Sequence, residues 1–171
     1  LLGTAIESNA FALFQAAILT AKNLTFESTL YRPNTIEAPT YVHMMVIWQG
    51  TSVSIENIHY EGVFPSTGLL HVHSIRETVL VKGFSIEYPG FQVYNEFWTM
   101  IKLSSDPADS TALSHYALSN LLIPQWPFGS EVTFISAHNL PSLSIDSVSI
   151  NYINSGGIPI VSISDIAGTL Q

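Results

Sequence analysis

Val53-Ser-Ile55-Glu-Asn57-Ile58-His-Tyr60 reads apolar, polar, apolar, polar, turn residue, apolar, polar, apolar. Two short alternating strands thus flank one residue of turn type. The pattern returns in Leu19-Thr-Ala21-Lys-Asn23-Leu24-Thr-Phe26, Val79-Leu-Val81-Lys-Gly83-Phe84-Ser-Ile86, Tyr116-Ala-Leu118-Ser-Asn120-Leu121-Leu-Ile123 and Leu143-Ser-Ile145-Asp-Ser147-Val148-Ser-Ile150. Repetition of one unit along a chain marks a stacked architecture. Successive turn residues lie 34, 26, 37 and 27 positions apart. A constant motif at variable intervals suits a coil whose strands stack and whose corners carry loops of unequal length. Asp165, 18 positions after Ser147 and between Val161-Ser-Ile163 and Ile166, is expected to be a sixth turn residue.

A further strand is readable upstream of each motif, in Phe11–Leu13, Met44–Trp48, Leu69–Val72, Phe97–Ile101 and Val132–Ile135. Three short strands per turn describe a parallel β-helix, in which stacked strands lie about 4.8 Å apart. Equivalent residues then form columns. Leu24, Ile58, Phe84, Leu121 and Val148 make one interior column, and Phe26, Tyr60, Ile86, Ile123 and Ile150 another. The corner column is Asn23, Asn57, Gly83, Asn120 and Ser147. Such a corner needs a left-handed backbone, which Gly and Asn tolerate best, so Ser147 is its least suited member. Stacked amides also hydrogen-bond from repeat to repeat.

Composition narrows the partners. Apolar residues make up 47% of the 171, and no run is long and apolar enough for a membrane helix. Thirteen acids against five bases give a net charge of −8, which argues against nucleic acid. The absence of cysteine removes disulfides, thiol nucleophiles and thiolate metal sites.

The repeat pattern resembles the right-handed parallel β-helix, or pectin-lyase-like, superfamily over roughly residues 11–170. The resemblance implies an all-β, right-handed, single-stranded parallel β-helix of about five to six turns, one domain spanning residues 1–171. Residues 1–10 would be a partial turn or a cap, and the helical spacing of Leu2, Ile6 and Ala10 offers a short capping helix instead. Val161–Gln171 reads as a turn still in progress, so a longer chain or end-to-end self-association is expected. The superfamily includes polysaccharide lyases and hydrolases, phage tailspikes, adhesins and large surface proteins. Fold alone does not choose among these. The leading expectation is a non-catalytic structural or adhesive module of an extracellular or cell-surface protein or filament. A carbohydrate-active or glycan-binding domain and a viral fibre segment are the alternatives.

Residues that carry chemistry are sparse, and no catalytic set is assigned. Asp106 and Asp109 are the closest carboxylate pair, in a stretch of Ser, Asp and Pro typical of loops. Arg32 and Arg76, the only arginines, stand in no lyase or polygalacturonase signature. His71 and His73 leave one face of a strand but lack an evident third ligand, so no transition-metal site is expected. His43, His59, His115 and His138 fall at different positions and suggest nothing shared. Lys22, Glu56, Lys82, Ser119 and Asp146 form a charged stripe before the corner. Glu27, Glu61 and Glu87 stack four residues after it and would hold Ca2+ if a cation bridged them. Asn23-Leu-Thr25 is an N-glycosylation sequon, although a glycan there is expected to take the Asn23 amide out of the corner column. Trp126 and Phe128, in a Pro- and Gly-marked loop, either cover the core at that corner or stack on a glycan or other partner.

Overall fold

A computed structural model describes residues 10–14, 17–28, 43–62, 68–87, 98–106, 114–123, 132–150 and 160–171. These residues form eleven strands and no helix: β1 Ala10–Phe14, β2 Ile18–Ser28, β3 His43–Trp48, β4 Ser52–Gly62, β5 Gly68–His73, β6 Thr78–Glu87, β7 Trp98–Ser104, β8 His115–Ile123, β9 Val132–His138, β10 Ser142–Ile150 and β11 Val161–Ser164. The odd strands make one sheet in the order β1-β3-β5-β7-β9-β11, and the even strands a second, β2-β4-β6-β8-β10. Every pairing is parallel. The chain therefore visits the two sheets alternately and advances one strand along each per repeat, an arrangement compatible with a parallel β-helix.

The five motifs coincide with the even strands. Register pairs Leu24 with Ile58, Ile58 with Phe84, Phe84 with Leu121 and Leu121 with Val148. The residue before each of these is the turn residue. Asn23, Asn57, Gly83, Asn120 and Ser147 all have left-handed backbones, with φ of 55°, 57°, 72°, 53° and 57°. Where three short strands per repeat were expected, two are found among the described residues. Each motif is a single strand of nine to eleven residues. Its pairing survives the left-handed residue because the neighbouring strands bend at the same place.

Asp165 is a correction. It is left-handed, φ 56°, but it follows β11 in the odd sheet rather than joining the motif column. There it continues a second series that the motif does not reveal: Gln49, Ser74 and Asn139, with φ of 55°, 52° and 55°. These residues follow Trp48, His73 and His138 at strand ends. The amide of Gln49 donates to the His73 carbonyl at 3.1 Å and that of Ser74 to the Ser104 carbonyl at 2.9 Å.

The core lies between the sheets. Val53, Ile55, Ile58 and Tyr60 of β4 are buried, as are Val79, Val81, Phe84 and Ile86 of β6. Across from them lie Met45, Ile47, Leu70, Val72, Ile101 and Leu103 of the odd sheet. Tyr60 stacks on Phe26 at 4.9 Å and lies 5.3 Å from Phe84, which in turn meets Phe134 of β9 at 6.0 Å. Tyrosines tie the sheets together. The Tyr60 hydroxyl donates to the Leu69 carbonyl at 3.1 Å, and the Tyr116 hydroxyl accepts from the Ile75 amide at 3.2 Å. Each buried phenol thus finds the partner that burial requires. The interior columns loosen outward: Ile58 is 1% exposed, whereas Val148, in the same column, is 37% exposed. Among the described residues β10 is the last strand of its sheet, and only its Leu143 and Ile145 receive a further segment, through Thr169, Leu170 and Gln171.

Gly83 offers a direct test of the corner. A Cβ there would come within 2.6 Å of Asn57 Oδ1, on a backbone of φ 72°. Gly83→Ala is expected to lower stability by about 1–2 kcal/mol, the left-handed penalty of an L residue. Gly83→Asn meets the same contact but tolerates the backbone, as Asn57 and Asn120 do, and is expected to cost less than Ala despite its size. Urea midpoints rank the two; Asn at or below Ala would contradict the assignment.

Candidate functional site

Polar side chains converge on the outer face of the odd sheet, opposite Leu70, Val72, Ile101 and Leu103. Alternation puts His71 and His73 of β5 there together, and register sets His71 beside Lys102 and His73 beside Ser104. The Ser104 hydroxyl lies between two imidazoles, 3.0 Å from His71 Nε2 and 2.8 Å from His73 Nδ1. His73 Nε2 meets Ser74 Oγ at 3.2 Å and lies 3.6 Å from Asp106 Oδ1. The Asp106 amide donates to Ser74 Oγ at 3.1 Å. Trp48 packs edge-on against His73 at 5.2 Å, and His43 lies 4.9 Å from His71. The His43 ring covers Gly68, where a Cβ would fall within 2.5 Å of His43 Nε2 and the Thr99 carbonyl, so the glycine makes room for the imidazole.

Electrostatics keep two of these rings neutral. Burial, and then the Lys102 charge, push His43 down to about 4. Burial, and then His43, Lys102 and His73, push His71 down to about 3. A neutral His71 carries one donor and one acceptor nitrogen, and its Nε2 shares a hydrogen bond with the Ser104 hydroxyl in the direction its tautomer sets. His43 Nε2 is buried without a hydrogen-bond partner among the described residues.

A serine, a histidine and an aspartate in contact invite comparison with a nucleophile, its base and an orienting carboxylate. Three observations weigh against that chemistry. Asp106 stands farther from His73 than Ser74 does, and Ser104 is only 8% exposed. Moreover, the Ser104–His73 contact is one of four. His59 Nδ1 meets Ser85 Oγ at 2.9 Å, His115 Nδ1 meets Ser142 Oγ at 2.8 Å, and His138 Nδ1 meets Ser164 Oγ at 2.7 Å. In each, the serine is the register partner of the histidine on the next strand. The sequence suggested nothing shared among His59, His115 and His138; the structure puts all three, with His73, into one recurring cross-strand pair. Alignment of the motifs contains part of the signal. His59 and Ser85 each stand two residues after the turn residue, and His115 and Ser142 each five before it.

The remaining sequence candidates are placed as follows. In the corner column, Asn57 Nδ2 donates to Asn23 Oδ1 at 2.9 Å. Gly83, lacking a side chain, interrupts that amide series. In the charged stripe, Lys22 and Glu56 form an ion pair at 3.1 Å, and register sets Glu56 beside Lys82, Lys82 beside Ser119 and Ser119 beside Asp146. Glu27, Glu61 and Glu87 are register partners on β2, β4 and β6, and the calcium expectation rests on that backbone register alone. Among the described residues no three His, Asp or Glu side chains are grouped to hold a metal ion. Arg76 is exposed in the bend between β5 and β6. Asp109, Arg32, Trp126 and Phe128 lie outside the described residues, as do residues 1–9.

No family model matches the chain, and no curated protein or solved structure matches it either.

Proposed function

We propose that this chain is a right-handed parallel β-helix module with a structural or adhesive role in an extracellular or cell-surface protein or filament. The observation that carries this reading is the recurring His–Ser pair. Side chains that would perform chemistry in an enzyme of this shape are spent here in joining neighbouring strands, at four separate strand pairings. Cross-strand pairs of this kind contribute about 0.2–1 kcal/mol each, and on stacked parallel strands they hold register. The absence of a long apolar helix among the described residues fits a module that does not cross a membrane by helices. A further layer, supplied by more of the same polypeptide or by a second copy, would cover Val148, Val161 and Leu170, which are 37%, 41% and 54% exposed.

The test compares Ser104 with its counterparts. Ser104→Ala, Ser85→Ala and Ser164→Ala are expected to lower the melting temperature by similar small amounts. Turnover of polygalacturonate or of an activated ester should not depend on Ser104 or Asp106. Turnover by the folded parent that disappears in Ser104→Ala or Asp106→Asn but persists in Ser85→Ala would replace the structural reading with an enzymatic one.

A further inference from the structure

Of nine asparagines, Asn23 alone is followed at the second position by Ser or Thr. Asn23 and Thr25 are exposed on β2, while Leu24 between them packs against the core. The direction of the corner amides decides what a glycan would disturb. Asn57 turns its nitrogen to Asn23 Oδ1 and its Oδ1 to the Gly83 side, where a Cβ would meet that oxygen. Asn23 therefore contributes its oxygen to the column. Its Nδ2 has no partner among the described residues. β2 is the last strand of the even sheet, with β4 its one described neighbour there.

From this geometry we infer that Asn23 is an N-glycosylation acceptor whose glycan leaves the corner column intact. The donor is an oligosaccharide carried on a lipid diphosphate. C1 of its first sugar bonds to Asn23 Nδ2, Nδ2 gives up one proton, and the lipid diphosphate leaves. Oδ1 keeps its lone pairs and still accepts from Asn57. This reverses the expectation that glycosylation removes Asn23 from the column, because the sugar attaches to the atom the column does not use. The glycan would overhang the side of β2 that has no neighbour among the described residues and hinder another strand from pairing there. Natural occupancy rests on the extracellular placement proposed above; competence as an acceptor does not.

The experiment sends the full 171-residue chain through the secretory pathway of a eukaryotic cell behind a foreign leader. Peptide mapping after enzymatic deglycosylation reads Asn23, in both secreted and intracellular pools. The expected result is a single occupied site at Asn23, lost in Asn23→Gln and Thr25→Ala and kept in Thr25→Ser. The glycosylated protein should melt within about 2 °C of unglycosylated protein made in bacteria, since no column bond is removed. An unmodified Asn23 in folded, secreted protein overturns the inference, as does an occupied protein that melts far below its bare counterpart. The leader supplies the route, so either failure speaks against Asn23 and leaves the extracellular reading untouched.

Discussion

Ile58→Asp is expected to abolish cooperative folding at neutral pH. Ile58 is 1% exposed and lies between Leu24 and Phe84 in the column that runs through the even sheet. Removing the aliphatic side chain alone costs about 2–5 kcal/mol, as large-to-small core substitutions do. Asp adds an ionised carboxylate with no partner in an apolar layer, a further penalty of several kcal/mol unless the group takes up a proton. Whole domains are stable by only about 5–15 kcal/mol, so the sum rivals the total. Glu56→Gln, two residues earlier on the outer face, loses the half-exposed ion pair with Lys22 and should cost less than about 1 kcal/mol. Circular dichroism melts compare the two; equal shifts would contradict the inside and outside assignments.

Acid should weaken the fold before most surface groups matter. His43 and His71 titrate at about 4 and about 3 in the folded chain, below the ordinary 6.5. Between those values and 6.5 the unfolded chain binds protons that the folded chain does not. Their contribution is therefore complete above 6.5 and is lost as pH falls toward 4 and then 3. For His43 the gap of 2.5 from 6.5 to about 4, at about 1.4 kcal/mol per pH unit, amounts to about 3.5 kcal/mol. His71 adds to this but shares part of its shift with His43, so the two are not summed in full. The groups facing them are Lys102, His73, Ser104 and, beyond His73, Asp106. Urea midpoints should fall steadily from pH 7 to pH 4.5, and less steeply in His43→Gln. A flat midpoint over that range, or an unchanged slope in the variant, would show that the rings are not buried neutral.

The interior of the even sheet was legible because its signal is local. Alternation needs only residues two apart, and a left-handed corner needs only an Asn or Gly at one position, so Ile55, Asn57, Ile58 and Tyr60 declare their places in eight letters. Parallel stacking also followed, since five copies of the motif can share a core only by lying side by side. The corner series of Gln49, Ser74, Asn139 and Asp165 was not legible, because four different residue types hold one conformation there and neighbouring strands impose it. The partners of the histidines were hidden for a different reason. Which serine faces which imidazole depends on register between strands joined by loops of unequal length, and only the folded sheet aligns His73 with Ser104 or His138 with Ser164. Burial of His43 and His71 is likewise a property of assembly: Gly68 opens the space beside one strand that an imidazole from another fills.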